Sequence, residues 1–296
     1  MDYSVEVLKG FKGNLLELRN YPNLKKLEIV NKEFNEELKN LPLGLKELVI
    51  YCDNFNQELD NLPECLEVLE ISYCNNFNQE LDKLPESLRE LKIEHCYNFN
   101  KKLDKLPECL RELEIAYCEN FNQELNNLPE GLELLKIGCY NFNQELKSLP
   151  EGLKILKIGS FSFNQELNNL PEGLKVLEIW FDRFNQKLKN LPEGLKVLKM
   201  CCYNFNKELN NLPVGLKILQ MYNCKNFNKK LDKLPESLKE LKIHNFKFNE
   251  KLDNLPLSLN KLKIGQEYLE CYSLEEVLGM IPLGCEMYIN EEKIDL

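Results

Sequence analysis

The segment from Phe121 to Ile137 reads F-N-Q-E-L-N-N-L-P-E-G-L-E-L-L-K-I, and most of the chain consists of near copies of it. Eleven copies follow one another at intervals of 21 or 22 residues, each with Asn directly after the Phe and Pro eight residues after it. A repeat of this length is typical of a solenoid, in which each turn buries its apolar side against neighbouring turns. The copies start at Phe34, Phe55, Phe77, Phe99, Phe121, Phe142, Phe163, Phe184, Phe205, Phe227 and Phe248.

Each copy ends in a strand pattern, L-x-x-L-x-I, as in Leu132–Ile137. Its second Leu and its Ile are two residues apart, so both side chains point to the same side of a β-strand. Strands that recur at this spacing can only pair in parallel. The pattern predicts an α/β solenoid, a curved array with one long parallel β-sheet.

The segment that returns the chain to the next strand has the form F-N-x-x-L-x-x-L-P. Its Phe and Leu residues follow the i, i+4, i+7 spacing of a helix, and Pro ends that turn. We therefore expect thin helical or 3₁₀ turns on the convex side. The stacked Phe residues are expected to form an interior spine, with the Asn bonded to backbone groups or to the Asn of the next repeat.

The repeat divides the chain into three parts. Residues 24–264 are predicted to form the solenoid, with about twelve repeats of 21–22 residues. Because the ends of a solenoid would expose its interior, residues 1–23 and 265–296 are interpreted as N-terminal and C-terminal caps. Four intervals have 22 residues, and their extra residue predicts a local bulge at the carboxyl edge of the sheet.

Composition limits the possible functions. The net charge of −10 argues against general affinity for nucleic acid or an anionic membrane surface. The sequence has no apolar run of the ~20 residues that span a bilayer, and Met1–Gly10 does not resemble a secretory signal. We expect a cytoplasmic monomer that binds neither nucleic acid nor membranes.

Seven of the twelve cysteines occupy one repeat position, three residues before the Phe. Free cysteine behaves as a small buried hydrophobe, so this row is interpreted as corner filler rather than as a disulfide network or a metal site. No cofactor is expected. His95 and His244 are 149 residues apart, and the sequence contains no phosphate loop, nucleophile elbow or H-E-x-x-H motif. These observations predict a protein that is not an enzyme.

Candidate binding residues are those that differ between copies on the outward side of the strands. An aliphatic row, a lysine row and two aromatic residues lie together there, and anchors of this kind are enriched in interfaces. The alternative is that β-branched residues at these positions only support strand pairing. The candidates are Leu134, Ile155, Val176, Val197, Ile218, Lys136, Lys157, Lys199, Trp180 and Tyr222. A second candidate is the bulged edge, with Tyr73, His95 and Tyr117.

The recurrent F-N followed by L-x-x-L-P, with L-x-x-L-x-I strands, resembles the FNIP repeat, a leucine-rich-repeat-like family known from social amoebae and from giant viruses that infect them. The resemblance covers about residues 24–264. It implies protein binding, and family members that carry an F-box recruit substrates for ubiquitination. Only 23 residues precede the first strand unit here, so we expect no F-box in this chain.

Two binding functions follow from these patterns, and a purely structural, self-associating repeat is a third hypothesis. The first is a non-enzymatic module that binds a protein partner on the concave sheet face, with substrate recruitment for ubiquitination as its more specific, family-level form. The alternative is a sensor or inhibitor that binds an anionic ligand, such as a phosphorylated peptide, through the lysine row. Salt dependence separates them, because exposed ionic contacts weaken with ionic strength and aliphatic contacts do not.

Overall fold

The computed structural model describes residue 2, residues 4–244 and residues 247–294. The chain divides into two compact units, residues 1–153 and residues 154–296. Each unit is a β-solenoid with a parallel sheet along one side, which confirms the predicted fold class.

The described residues of the first unit form seven strands and a short 3₁₀ helix at Leu15–Asn20. Neighbouring strands of this unit pair in parallel, and successive turns place Leu on Leu and Ile on Ile. The strands are β1 Val7–Phe11, β2 Lys26–Val30, β3 Glu47–Tyr51, β4 Val68–Ser72, β5 Glu90–Glu94, β6 Glu112–Ala116 and β7 Leu134–Gly138.

In the second unit, the part that the structure describes forms eight strands, a 3₁₀ helix at Gln266–Glu270 and an α-helix, α1, at Leu274–Met280. Strands β8 to β14 pair in parallel, and β15 joins β14 in the antiparallel sense. They are β8 Ile155–Ser160, β9 Val176–Phe181, β10 Val197–Cys201, β11 Ile218–Tyr222, β12 Glu240–His244, β13 Lys261–Ile264, β14 Glu286–Ile289 and β15 Glu292–Lys293.

The core of each unit lies between the strands and the return segments. On the strands, the second Leu and the Ile of each pattern are buried, as Leu177 and Ile179 show. The Phe residues stack from turn to turn, with ring centroids 5.8–6.1 Å apart between Phe34 and Phe142 in the first unit. In the second unit, the rings from Phe184 to Phe248 stack at 5.9–6.0 Å, so the predicted spine is confirmed in both units.

The return segments differ from the helical or 3₁₀ turns expected. Within the described residues, the segments between β2 and β13 are turns and extended chain, with no helix. Their backbone groups bond between turns instead. The amide N–H of Asn56 donates to Asn35 Oδ1 at 2.9 Å, and Gln57 Nε2 donates to the Asn35 carbonyl at 2.9 Å. Because the neighbouring turn satisfies these groups, a helix is not needed to pair them.

The same asparagine bond recurs along both units, and we call it the asparagine ladder. In each turn, the N–H of the Asn after the Phe donates to Oδ1 of its counterpart one turn earlier, at 2.9–3.1 Å. The ladder runs through Asn35, Asn56, Asn78, Asn100, Asn122 and Asn143 in the first unit, and through Asn164, Asn185, Asn206, Asn228 and Asn249 in the second.

The predicted bulges are present at the carboxyl edge of the sheets. The extra residue of each 22-residue interval adopts positive φ, between 47° and 56°, at Tyr73, His95, Tyr117 and Asn223. Its N–H donates to a carbonyl of the next turn, as from Tyr73 to Glu94 at 2.9 Å. The insertion is therefore absorbed at the end of the strand, and the register of the sheet is unchanged.

Irregular segments cover the N-terminal end of the first unit and the C-terminal end of the second. Strand β1 pairs with β2, and the 3₁₀ helix after it buries Leu15 and Leu18. At the other end, Tyr268 stacks on Phe248 at 5.7 Å and α1 buries Val277. These segments lie within the ranges that the sequence assigned to caps.

Candidate functional site

The aliphatic row predicted from the sequence lies on the open side of the sheet in the second unit. Ile155, Val176, Val197 and Ile218 are the first residues of β8 to β11, and each stands beside the next in the strand register. All four side chains are half-buried, whereas the adjacent leucines face the core. The row therefore forms a continuous apolar strip across four strands.

Trp180 and Tyr222 lie at the other end of the same strands. Trp180 stands between Gly159 of β8 and Cys201 of β10, and it is 41% exposed. Because its two neighbours are small, the indole projects from the sheet without a covering side chain on either adjacent strand. Tyr222 is half-buried, and its hydroxyl donates to Gln220 Oε1 at 2.7 Å.

Charged side chains between the aliphatic row and the aromatic residues pair with one another. Glu178 is buried, with Lys157 Nζ at 3.6 Å on one side and Lys199 Nζ at 2.9 Å on the other. Further along, Lys242 and Lys263 both contact Glu291, which comes from the C-terminal cap. These four lysines and two glutamates leave a net charge of +2, because half of the lysine charge is neutralised.

Leu134 and Lys136 belong to β7 and so lie in the first unit. Lys136 forms an ion pair with Glu114, and its Nζ is 3.9 Å from Glu94. The other candidates of the strip, Ile155 to Ile218 with Trp180 and Tyr222, are gathered in the second unit.

The second candidate edge is also in the first unit, where Tyr73, His95 and Tyr117 follow β4, β5 and β6. The ring of His95 lies between the two tyrosines, 4.3 Å from Tyr73 and 4.4 Å from Tyr117. Tyr51 of β3 extends the row at 6.3 Å from Tyr73 and donates its hydroxyl to Glu70 at 2.8 Å. We call Tyr73, His95 and Tyr117 the aromatic ladder.

Carboxylates of the first unit crowd the sheet beside this ladder. Burial and the neighbouring Glu114 raise the pKa of Glu94 to about 7. The pKa of Glu114 is lowered, because Glu94 and Lys136 both bond to it and outweigh its burial. With this pKa, Glu94 is about half protonated at neutral pH.

The cysteine row is buried, as predicted. Cys118 Sγ donates to the carbonyls of Ile93 at 3.5 Å and Ala116 at 3.4 Å, and burial raises the pKa of Cys52 and of Cys224 to about 12. All twelve cysteines are free. In the described part of the chain, no three His, Cys, Asp or Glu side chains are placed to hold a metal ion. No helix among the described residues is long and apolar enough to cross a bilayer.

Two features of these surfaces could not be expected from the repeat. Glu178 stands where the neighbouring strands on both sides carry a lysine, Lys157 or Lys199. This single exchange lets both lysines form ion pairs within their own row. Its departure from its neighbours was the only available signal. Glu291 reaches Lys242 from a segment 49 residues away, and no local pattern indicates that contact.

Comparison with known proteins supports the repeat assignment. The family model described as FNIP Repeat matches residues 142–182 and 163–203. CroV588, described as a novel circular LRR protein, is 28% identical to the chain, and the match covers 93% of the chain with a TM-score of 0.61. YopM from Yersinia enterocolitica WA-314 is 25% identical over 82% of the chain, with a TM-score of 0.49. No match was found among the curated proteins.

The chain spans about half the length of these two structures, 48% of CroV588 and 56% of YopM. The matched residues 142–203 contain three of the F-N copies that the sequence repeats elsewhere. Residues 142–203 therefore match the FNIP repeat, and the parallel strands give the chain a leucine-rich-repeat-like fold similar to that of CroV588.

Proposed function

We propose that this chain is a non-enzymatic module that binds a protein partner on the open sheet face of its second unit. The contact surface is the strip formed by Ile155, Val176, Val197 and Ile218, with Trp180 and Tyr222 at the opposite ends of the same strands. The observation that carries the proposal is the exposed Trp180 between Gly159 and Cys201. Tryptophan and tyrosine are the most frequent anchors of protein interfaces.

The charges of this face favour an apolar contact. Because Lys157 and Lys199 both pair with Glu178, a partner that covers the strip meets a net charge of only +1 there instead of +2. Burial of unpaired charge is what most often opposes binding at such a surface. If the chain recruits substrates for ubiquitination, as F-box members of the family that it resembles do, this strip is the face that holds the substrate.

The alternative function, binding of an anionic ligand, is supported by a different part of the lysine row. Lys242 and Lys263 share one carboxylate, and burial together with Lys263 lowers the pKa of Lys242. An anion at this end of the row would stabilise both ammonium groups. Such a complex would weaken steeply with added salt, whereas a complex on the aliphatic strip would not.

The test is a charge placed within the strip. Val176 is half-buried and points away from the core, so Val176→Glu is expected to change stability by no more than about 0.5 kcal/mol. In a complex the new carboxylate would have to lose its water, which costs several kcal/mol. Partner proteins captured from cell extract by the wild type should therefore be lost.

Two further variants control this experiment. Val214→Glu introduces the same charge in the same unit, at a position where neighbouring turns carry Glu193 and Glu236, and should retain the partners. Leu177→Glu buries a carboxylate in the core and should unfold the unit. If Val176→Glu keeps both its melting temperature and its partners, the strip is not the binding surface.

A further inference from the structure

The aromatic ladder in the first unit is an ordered stack of partly exposed rings. The ring planes of Tyr73 and His95 are inclined to each other by only 7°, and those of His95 and Tyr117 by 8°. Tyr117 remains 57% exposed at the end of the stack, beside Gly138 of β7, whose carbonyl accepts its N–H at 2.7 Å. The ladder therefore presents ring edges along its length and an accessible aromatic surface at Tyr117.

Aromatic residues at these positions are not required by the fold. All three have positive φ, between 51° and 56°, a conformation that bulky side chains rarely adopt. The same bulge in the second unit carries Asn223, a residue that tolerates this conformation well. Asn could adopt this backbone conformation at all three bulges, yet each carries an aromatic side chain instead. Unfavourable backbone conformations of this kind are found preferentially at functional sites.

The sheet beside the ladder is acidic. The outward residues of β4, β5 and β6 include five carboxylates and one ammonium group, that of Lys92. The carboxylates are Glu70, Glu90, Glu94, Glu112 and Glu114. Glu94 directly precedes His95 in the chain, so an acidic group belongs to the turn that carries the middle ring of the ladder.

The carboxylates of Glu94 and Glu114 are incompletely neutralised. Lys136 pairs with Glu114 and lies 3.9 Å from Glu94, so one ammonium group serves both. The raised pKa of Glu94 reflects its burial and the proximity of Glu114. A second cation at this position would relieve the repulsion between the two carboxylates.

We propose that the aromatic ladder, with the carboxylates of β4 to β6, binds a basic segment of a partner protein through arginine side chains. A guanidinium group stacks on aromatic faces and also forms paired hydrogen bonds with carboxylates, so it fits both halves of this surface. Nucleic-acid bases also stack on aromatic rings, but their phosphates would face the five carboxylates. This surface lies in the first unit and goes beyond the function proposed for the strip of the second.

The proposal is tested with the whole chain and three fluorescent peptides of alternating serine and a variable residue. That residue is arginine, lysine or citrulline, which has the shape of arginine without its charge. Fluorescence anisotropy at low salt should rank binding as arginine, then lysine, then citrulline. A matched triple variant, Tyr73→Asn, His95→Asn and Tyr117→Asn, places at each bulge the residue found at Asn223 and should fold normally.

The triple variant should bind the arginine peptide about tenfold more weakly than the wild type does, because stacking is lost. Its affinity for the lysine peptide should change much less, since the carboxylates remain. Tyr203→Ala removes an exposed tyrosine from the second unit and should leave all three affinities unchanged. The proposal is overturned if the folded triple variant binds the arginine peptide as the wild type does.

Two other results would also overturn it: equal affinity for the arginine and citrulline peptides, or tighter binding of single-stranded oligouridine than of the arginine peptide. The strip of the second unit is intact in the triple variant, and the ladder is intact in Val176→Glu. The experiments can therefore show separately whether the strip fails to bind a partner or the aromatic ladder fails to bind arginine.

Discussion

The ring of Phe99 stacks on that of Phe121 with centroids 5.9 Å apart and planes inclined by only 5°. Both side chains are completely buried. Phe121 also contacts Phe142 on its other side, at 6.1 Å, so one ring joins three successive turns of the first unit. The stability of each turn therefore depends on its neighbours.

Replacing Phe121 with alanine should destabilise the first unit by about 3–5 kcal/mol, through lost burial and the cavity that remains. Hydrogen exchange should accelerate in the turns of Phe99 and Phe142 as well as at the substitution. Tyr97→Ala removes an exposed ring from the same unit and should change stability by no more than about 0.5 kcal/mol. Unchanged exchange around Phe99 and Phe142 would contradict the stacked spine.

The buried cysteines should be unreactive in the folded protein. Burial raises the pKa of Cys52 and of Cys224 to about 12, and only the thiolate is nucleophilic. Iodoacetamide should therefore modify the exposed Cys109 and Cys271 first, and mass spectrometry of digests would locate the label. After unfolding without reductant, all twelve thiols should react. Disulfides between turns in freshly purified protein would contradict this assignment.

Glu94 should give the first unit a stability that falls as pH rises. Its pKa is about 7 in the folded chain and near 4.5 when unperturbed, so the folded state binds more protons between these values. Folding is then favoured at the acidic end of this interval, and the contribution is lost as pH rises towards 7. Glu94→Gln should raise the melting temperature relative to the wild type more at about pH 8 than at about pH 5. The first value lies above the folded pKa of Glu94, and the second lies near its unperturbed pKa.

Glu112→Gln removes one carboxylate from the neighbouring strand and controls for the change in net charge. Thermal unfolding of both variants and the wild type across the pH range provides the comparison. A difference between Glu94→Gln and wild type that does not vary with pH would show that Glu94 is not protonated in the folded protein.

Strands, spine and bulges could be predicted because each follows from a local pattern that recurs. The Leu and Ile of Leu132–Ile137 define one side of a strand, and the extra residue at Tyr73 or His95 marks the bulge. The return segment was mispredicted because the spacing of its Leu residues resembles that of a helix. The bond from Asn56 N–H to Asn35 shows that contacts between turns, which no single repeat contains, determine its conformation.

The candidate surfaces could be located but not described from the sequence. Rows of outward side chains follow from the repeat, so the position of Val176 and Trp180 was predictable. The pairing of charges within a row was not predictable, because Lys157 and Lys199 pair with Glu178 only once the strands are in register. The stacking of Tyr73, His95 and Tyr117 likewise depends on the positive φ at each bulge.

The asparagine ladder runs in one direction, since each turn offers an acceptor to the next and donates to the one before. Any turn inserted between two others brings one donor and one acceptor, as Asn100 does between Asn78 and Asn122. Duplication of a single repeat in the gene would therefore leave every amide of the ladder paired. The molecule can lengthen by copying a unit of 21 or 22 codons, without a compensating change elsewhere in the protein.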